Sequence, residues 1–136
     1  MPKDGRERER GAGRGAAGDE VDPIARWEVQ VRKGSLDLAI LASLWSGRLY
    51  GLEILKRIES DSSLLVPEGT VYPLLARLKE EGWVDAEWVE AEAGHPRKYY
   101  RLTASGRRHL VKMAHAWSRF AASLDRLLVP VRKEDH

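Results

Sequence analysis

The stretch Val66–Gly82, VPEGTVYPLLARLKEEG, decides the fold. Val71, Leu74, Leu75 and Leu78 recur at the i, i+3, i+4, i+7 spacing that gathers them on one face of a helix, and that face must be covered. Thr70, Pro73, Ala76, Arg77 and Glu80 fall on the opposite face, with Tyr72 and Lys79 at its flanks. This mixture of small, aromatic and charged groups is a surface that a partner can read. Pro67 and Gly69 supply turn chemistry ahead of the helix, Thr70 is the expected N-cap, and Gly82 is placed as the C′ residue that closes it. With Thr70 as cap, Pro73 falls in the first turn, where its missing N–H is tolerated.

Two short runs rich in aromatic and β-branched residues follow, Trp83–Val89 and Lys98–Leu102. The polar loop between them, Glu90–Arg97, contains Gly94 and Pro96, so the pair is expected to be a β-hairpin. Its arm is basic, with His95, Arg97, Lys98 and Arg101. Upstream, Pro23–Val31 is expected to form a short helix with Ile24, Trp27 and Val31 on one side. Ser35 then caps a helix to about Trp45 that has almost no polar face, and Gly47 ends it. A further helix starts at Tyr50 and Gly51, with Gly51, Ile54, Leu55 and Ile58 as its apolar stripe. The expected fold is therefore mainly α with a β-hairpin: a winged helix-turn-helix whose last helix enters the major groove of DNA, plus a long C-terminal helix.

This fold nominates side chains for DNA contact. Gly69, Thr70, Tyr72, Pro73 and Arg77 stand at the start and on the outer face of the recognition helix. Arg77 suits a guanine or a phosphate; Thr70 and Tyr72 suit phosphate hydrogen bonds or thymine methyl groups. Glu68, Glu80 and Glu81 outnumber Arg77 and Lys79, but Glu80 and Glu81 lie in the last turn, away from the end that enters the groove. Tyr50, at the start of the preceding helix, either donates its hydroxyl to a phosphate or packs on the helix junction. In the wing, His95, Arg97, Lys98 and Tyr99 are candidates for phosphate or minor-groove contact. Strand side chains alternate, so one of Tyr99 and Tyr100 is core and the other exposed.

Thr103 caps the final helix, along which Leu110, Met113, Trp117, Phe120, Leu124, Leu127 and Val131 alternate at spacings of three and four. Such a seam wants another helix, and a homodimer supplies one, either the two-fold mate of this helix or the mate's N-terminal region. Trp27, Leu110, Leu124 and Leu127 are the expected interface, and a two-fold dimer expects an inverted-repeat operator in double-stranded DNA. Trp117 would meet its own mate at the middle of the seam. Either the helices stand apart and leave an effector site between them, or Met113 and Phe120 fill the space as a closed apolar core. Pro130 is expected to stop the helix.

The resulting division is a flexible tail (residues 1–22), a DNA-binding domain with its N-terminal helix (23–102), a dimerisation helix (103–130) and a polar tail (131–136). The 136 residues suit a single modest core. The 23 Lys and Arg against 21 Asp and Glu give a formal charge of +2, so charge placement matters more for nucleic-acid binding than total charge. Cysteine is absent, which excludes disulfides and thiolate metal sites. No membrane span or signal peptide is recognisable, and a cytoplasmic protein is expected. Gly13, Gly15 and Gly18 match a dinucleotide-site pattern, yet no strand precedes them. No cofactor, no metal and no catalytic activity are expected: there is no HExxH, phosphate loop or nucleophile elbow, and His95, His109, His115 and His136 lack ligand spacing. The rival class is a winged-helix protein-interaction module that never binds DNA, a reading favoured by the acidic residues of the recognition helix.

Three segments together carry a family resemblance: GSLDLAILASLWSGRLYGLEILKRIES from Gly34, VPEGTVYPLLARLKEEGWV from Val66, and GHPRKYYRLTASGRRHL from Gly94. In order and without large gaps, they resemble the PadR family of bacterial transcriptional regulators over about residues 32–128. YGLEI, GTVYPLLARLKEEG and RKYYRLTASG are specific as a set. The chain end resembles the short, one-helix branch that includes a lactococcal multidrug-binding regulator, with which WSR at Trp117–Arg119 is shared. The resemblance implies a DNA-binding regulator, expected to be a repressor released by a small aromatic or hydrophobic effector. It also implies that Trp117 stacks on planar ligands, with Met113 and Phe120 beside it.

Overall fold

The structure, a computed structural model, describes residues 22–62, 64, 66–90 and 94–134. The chain runs α1 (Pro23–Ser43), β1 (Leu49–Tyr50), α2 (Gly51–Asp61), α3 (Glu68–Glu80), β2 (Val84–Val89), β3 (Arg97–Leu102) and α4 (Ala104–Glu134). The expected tail and its glycine pattern lie outside the described residues, apart from Asp22, whose carboxylate accepts a hydrogen bond from the Ile24 N–H at 3.1 Å. The chain divides into two compact units at Gly34. In the first, Ile24, Trp27, Val29 and Val31 are exposed.

From Ser35 onward, the apolar faces of α1, α2 and α3 meet the base of the wing. Ile40, Leu41, Leu44, Ile54, Val71, Leu75, Leu78 and Val84 are fully buried. Each such side chain contributes roughly 1.5–3 kcal/mol relative to exposure. Leu74, the fourth residue of the periodic stripe in α3, is partly buried against this core. The hairpin forms as expected, with Val84 opposite Leu102 and Val89 opposite Arg97, and it gains an unexpected third strand. β1 pairs with β3 through Leu49–Tyr100 and Tyr50–Tyr99, giving the antiparallel order β1-β3-β2.

Four helix boundaries differ from expectation. The short first helix and the Ser35-capped helix are one continuous α1, because a single glycine costs a helix only about 1 kcal/mol and Gly34 does not have to break it. α3 begins at Glu68, and its N-cap is Pro67, not Thr70. Glu68 in the first turn suits the positive end of the helix, and Pro73 lies inside α3 instead of in its first turn. Pro130 likewise lies inside α4, which continues to Glu134, so residues 131–134 are helix and not tail. Proline removes one hydrogen bond and kinks a helix without having to end it.

α3 closes as expected. Gly82 has a φ of +83°, the Gly82 N–H donates to the Lys79 carbonyl, and the Trp83 N–H donates to the Leu78 carbonyl, both at 3.0 Å. This is a Schellman closure. It delivers Trp83 to the start of α4, where the Thr103 N–H donates to the Trp83 carbonyl at 3.1 Å and the Thr103 hydroxyl donates to the Gly82 carbonyl at 2.6 Å. The Thr103 hydroxyl oxygen also accepts the Gly106 N–H at 2.9 Å, as its expected capping role requires. Gly106 sits so close to the Trp83 carbonyl that no Cβ fits between them.

Two glycine substitutions follow with opposite signs. Gly106→Ala forces backbone apart and should destabilise the protein by about 2 kcal/mol or more. Gly34→Ala, where a Cβ meets nothing within 4 Å, should stabilise α1 by up to about 1 kcal/mol. Urea unfolding of both variants beside the parent checks each sign.

Candidate nucleic-acid interface

The residues that stand at the surface of α3 are set by which positions its buried stripe leaves over. Gly69, Pro73, Ala76 and Arg77 are exposed, Thr70 is half-buried, and Tyr72 keeps 46% of its surface open. Tyr72 lies directly over Gly51, whose missing side chain makes room for the ring; a Cβ there would overlap the Tyr72 phenol. A recognition-helix side chain is thereby seated on the first residue of α2.

Tyr50, the residue before that glycine, starts a second set of contacts. Glu53 turns back so that its carboxylate accepts the Tyr50 N–H at 3.1 Å and fixes the start of α2. The Tyr50 ring meets Tyr99 edge-on at 5.5 Å between centroids. The Arg97 guanidinium lies over Tyr50 at 4.6 Å, and the Arg48 guanidinium lies over Tyr99 at 4.8 Å. Arg48 also donates to the Glu87 carboxylate at 2.9 Å. On the other face of the hairpin, Lys98 sits 5.8 Å from the rings of both Trp88 and Tyr100. Tyr100 is the core member of the tyrosine pair, and burial, reinforced by the neighbouring Tyr72 hydroxyl, raises its phenol above the ordinary value of 10.0.

The candidates thus fall into groups. Tyr50, Arg97 and Tyr99 come together, Tyr72 joins them through Gly51, and Lys98 occupies the opposite face of the wing with Trp88. His95 is exposed near the wing tip. Arg77, the outward cation of α3, donates to the Asp37 carboxylate of α1, a pair with side chains 48% and 36% exposed. It is already engaged within the protomer. Asp37, Arg48, Glu87 and Trp88 were not singled out by the sequence reading. Only the spacing of Arg48 and Tyr50, two apart and so on one side of an extended segment, hinted at their shared face.

Along α4 the expected interface divides. Leu110 is 5% exposed and belongs to the protomer core, which corrects its assignment to the dimer seam. The exposed part of this apolar row begins only at Trp117. Met113 is partly buried against the same core, which sets it apart from the effector group. Trp117, Phe120, Leu124, Leu127 and Val131 are exposed, with the Trp117 and Phe120 rings 6.5 Å apart and tilted by 52°. His109, expected as a simple surface residue, is half-buried and stacks on Trp83 at 4.0 Å with planes 5° apart. Trp27 is exposed on the N-terminal part of α1.

Three helices leading to a two-stranded wing, with a third short strand at its base, define a winged helix-turn-helix protein with a C-terminal helix. The model of the PadR-like family of transcriptional regulators matches residues 40–112. A protein of Lysinibacillus sphaericus is 30% identical over 95 residues, covering 68% of this chain and 87% of its own length. Among solved structures, a PadR family transcriptional regulator from Eggerthella lenta superposes with a TM-score of 0.70 at 28% identity, covering 78% of this chain and 92% of that one. A PadR-like transcriptional regulator from Bacillus cereus gives 0.66 at 29% identity, covering 74% and 97%. The chain belongs to the PadR-like family of transcriptional regulators. That family is one of regulators and not of enzymes. Among the described residues no helix is long and apolar enough to cross a membrane.

The raised phenol of Tyr100 has a pH consequence. A group whose folded value exceeds its unfolded value contributes stability that is complete below the unfolded value and lost as pH rises through the folded one. Stability should therefore fall as pH climbs past 10.0, and Tyr100→Phe should flatten that fall. Urea unfolding on both sides of that pH, for parent and variant, measures it.

Proposed function

We propose that this regulator is a cytoplasmic, homodimeric DNA-binding repressor that recognises an inverted-repeat operator and is released by a small planar aromatic molecule. The observation that carries the DNA reading is the continuity from Tyr72 on α3, over Gly51, to Tyr50 and its stacked Arg97. The residues that would enter the groove and the cations that would hold the backbone share one connected surface. On this reading Gly69, Thr70, Tyr72 and Pro73 read base edges or sugar, while Arg97 and Tyr50 hold phosphates from that surface, with His95 at the wing tip and Lys98 acting from the other face of the wing. Arg77 secures α3 to α1 through Asp37 in the free protein.

The dimer reading is supported by the apolar row that α4 leaves uncovered, Trp117, Phe120, Leu124 and Leu127. Two copies of this row, related by a two-fold axis, would cover one another. The effector reading rests on Trp117 and Phe120, whose neighbouring rings offer a flat apolar ligand two surfaces. The competing reading, a module that binds only protein, draws on the acid partners of two outward arginines, Asp37 for Arg77 and Glu87 for Arg48.

A gel-shift with the DNA upstream of its own gene decides between the two. A regulator of this kind should shift that DNA at lower concentration than a random duplex, and no shift of either DNA favours the protein module. Replacing Thr70 or Tyr72 should cost roughly 1–3 kcal/mol on the specific duplex and little on the random one. Equal losses on both would move the reading surface off α3. Replacing Leu124 and Leu127 with Lys should give monomers by light scattering, since two charges would enter an apolar interface. Planar aromatic cations should quench the emission of the parent dimer and release it from DNA, whereas Trp117→Ala should lose both effects.

A further inference from the structure

The outer face of the three-stranded sheet carries a charge arrangement that the reading above leaves unused. Arg48, just ahead of β1, shares its side with Tyr50, and the register sets Tyr50 opposite Tyr99 and Glu87 opposite Tyr99. One row across three strands therefore holds two tyrosines and a carboxylate, with a guanidinium mounted on each tyrosine ring. A guanidinium stacked on a ring has its plane fixed while its N–H edge remains available for bidentate bonds to oxygen anions. Arg97 has no carboxylate partner among the described residues. Arg48 has Glu87, in a pair whose side chains are 49% and 45% exposed and which is accordingly weak.

We propose that Arg48 and Arg97 form a two-guanidinium clamp for the phosphates of duplex DNA, mounted on Tyr99 and Tyr50, and that Glu87 is the internal anion which the phosphate displaces. This rests on the DNA-binding reading and adds Arg48 and Glu87 to it. The clamp stands beside the first residue of α2, on which Tyr72 is seated, so a phosphate held there fixes the register of α3 in the groove. Glu87 holds Arg48 in place when no DNA is bound. It also imposes a competition: binding must break one weak ion pair before it makes a stronger one, and DNA that cannot bring a phosphate to this point gains nothing from Arg48. The two contributions of Glu87 are separable, because its direct repulsion of phosphate persists without Arg48 and its competition for the guanidinium does not.

The test is a double-mutant cycle by fluorescence anisotropy, with a labelled duplex from upstream of its own gene and a random duplex of equal length, across a salt series. Arg48→Ala should weaken both duplexes, by about tenfold for a charge-assisted contact. It should also lower the slope of log affinity against log salt by about one per subunit. Arg48→Lys, which keeps the charge but not the planar stack, should retain the slope and lose part of the affinity. Glu87→Gln should tighten binding more in the parent background than in the Arg48→Ala background. An Arg48→Ala variant with the parental slope overturns the clamp. So does a Glu87→Gln change that tightens binding equally in both backgrounds, since that is long-range charge alone. A parent that binds neither duplex overturns the DNA reading and the clamp together, whereas a binding parent with an indifferent Arg48 overturns the clamp only. Thermal unfolding establishes that each variant is folded. If Arg48→Ala does not fold, the same cycle runs in the Arg48→Lys background, where Glu87→Gln should tighten binding less than in the parent.

Discussion

The meeting of Gly82 and Trp83 with Thr103–Gly106 is the constraint on which the remaining structure depends. Two consecutive carbonyls at the end of the α3 closure are taken by the first turn of α4: Trp83 by the Thr103 N–H, and Gly82 by the hydroxyls of Thr103 and Ser105. Those carbonyls lie at the root of β2. The recognition helix, the wing and the C-terminal helix are thus tied to one point, and Gly106 is required there because backbone meets backbone. The Trp83 ring then stacks on His109 and donates to the Glu81 carboxylate at 3.0 Å, extending the joint by one more turn of α4. At this joint α4 is held directly to the end of α3 and the start of β2.

Electrostatics explains how a protein of such modest charge can read DNA. The recognition helix is not basic, and its outward arginine is matched by Asp37. Cations useful for phosphates instead lie on the sheet, mounted on tyrosine rings, where their aromatic supports limit side-chain entropy loss on binding. This divides the work. On the proposed reading, the uncharged residues that follow Glu68 in the first turns of α3, Gly69, Thr70, Tyr72 and Pro73, are left for base edges and sugars, and the wing and the strand before α2 supply the field. On the same proposed reading, the acid partners of Arg48 and Arg77 weaken attachment to DNA at large and favour selectivity over bare affinity.

Much of this was legible in the sequence because it is local. The period of Val71, Leu74, Leu75 and Leu78 set the orientation of α3, and the caps were announced by the backbone freedom of Gly82 and by the hydroxyl of Thr103. What escaped notice depended on tertiary contact or on small local balances. β1 is two residues long and exists only because β3 lies beside it. The Arg77–Asp37 pair joins positions 40 apart, for which no periodicity gives a signal. Leu110 follows the same three-four spacing as the apolar row beyond it, so its spacing could not reveal that the protomer core covers it. Thr70 lost the cap to Pro67, since a proline with extended ψ followed by glutamate is also a competent helix start.

The central claim is that two copies of this protein present their recognition helices and wings to DNA together. Hydroxyl-radical footprinting on the DNA upstream of its own gene tests that claim most directly. The account predicts two protected patches related by inverted symmetry, with centres about one helical turn, or a multiple of it, apart. A single asymmetric patch, or cleavage unchanged by saturating protein, would contradict it.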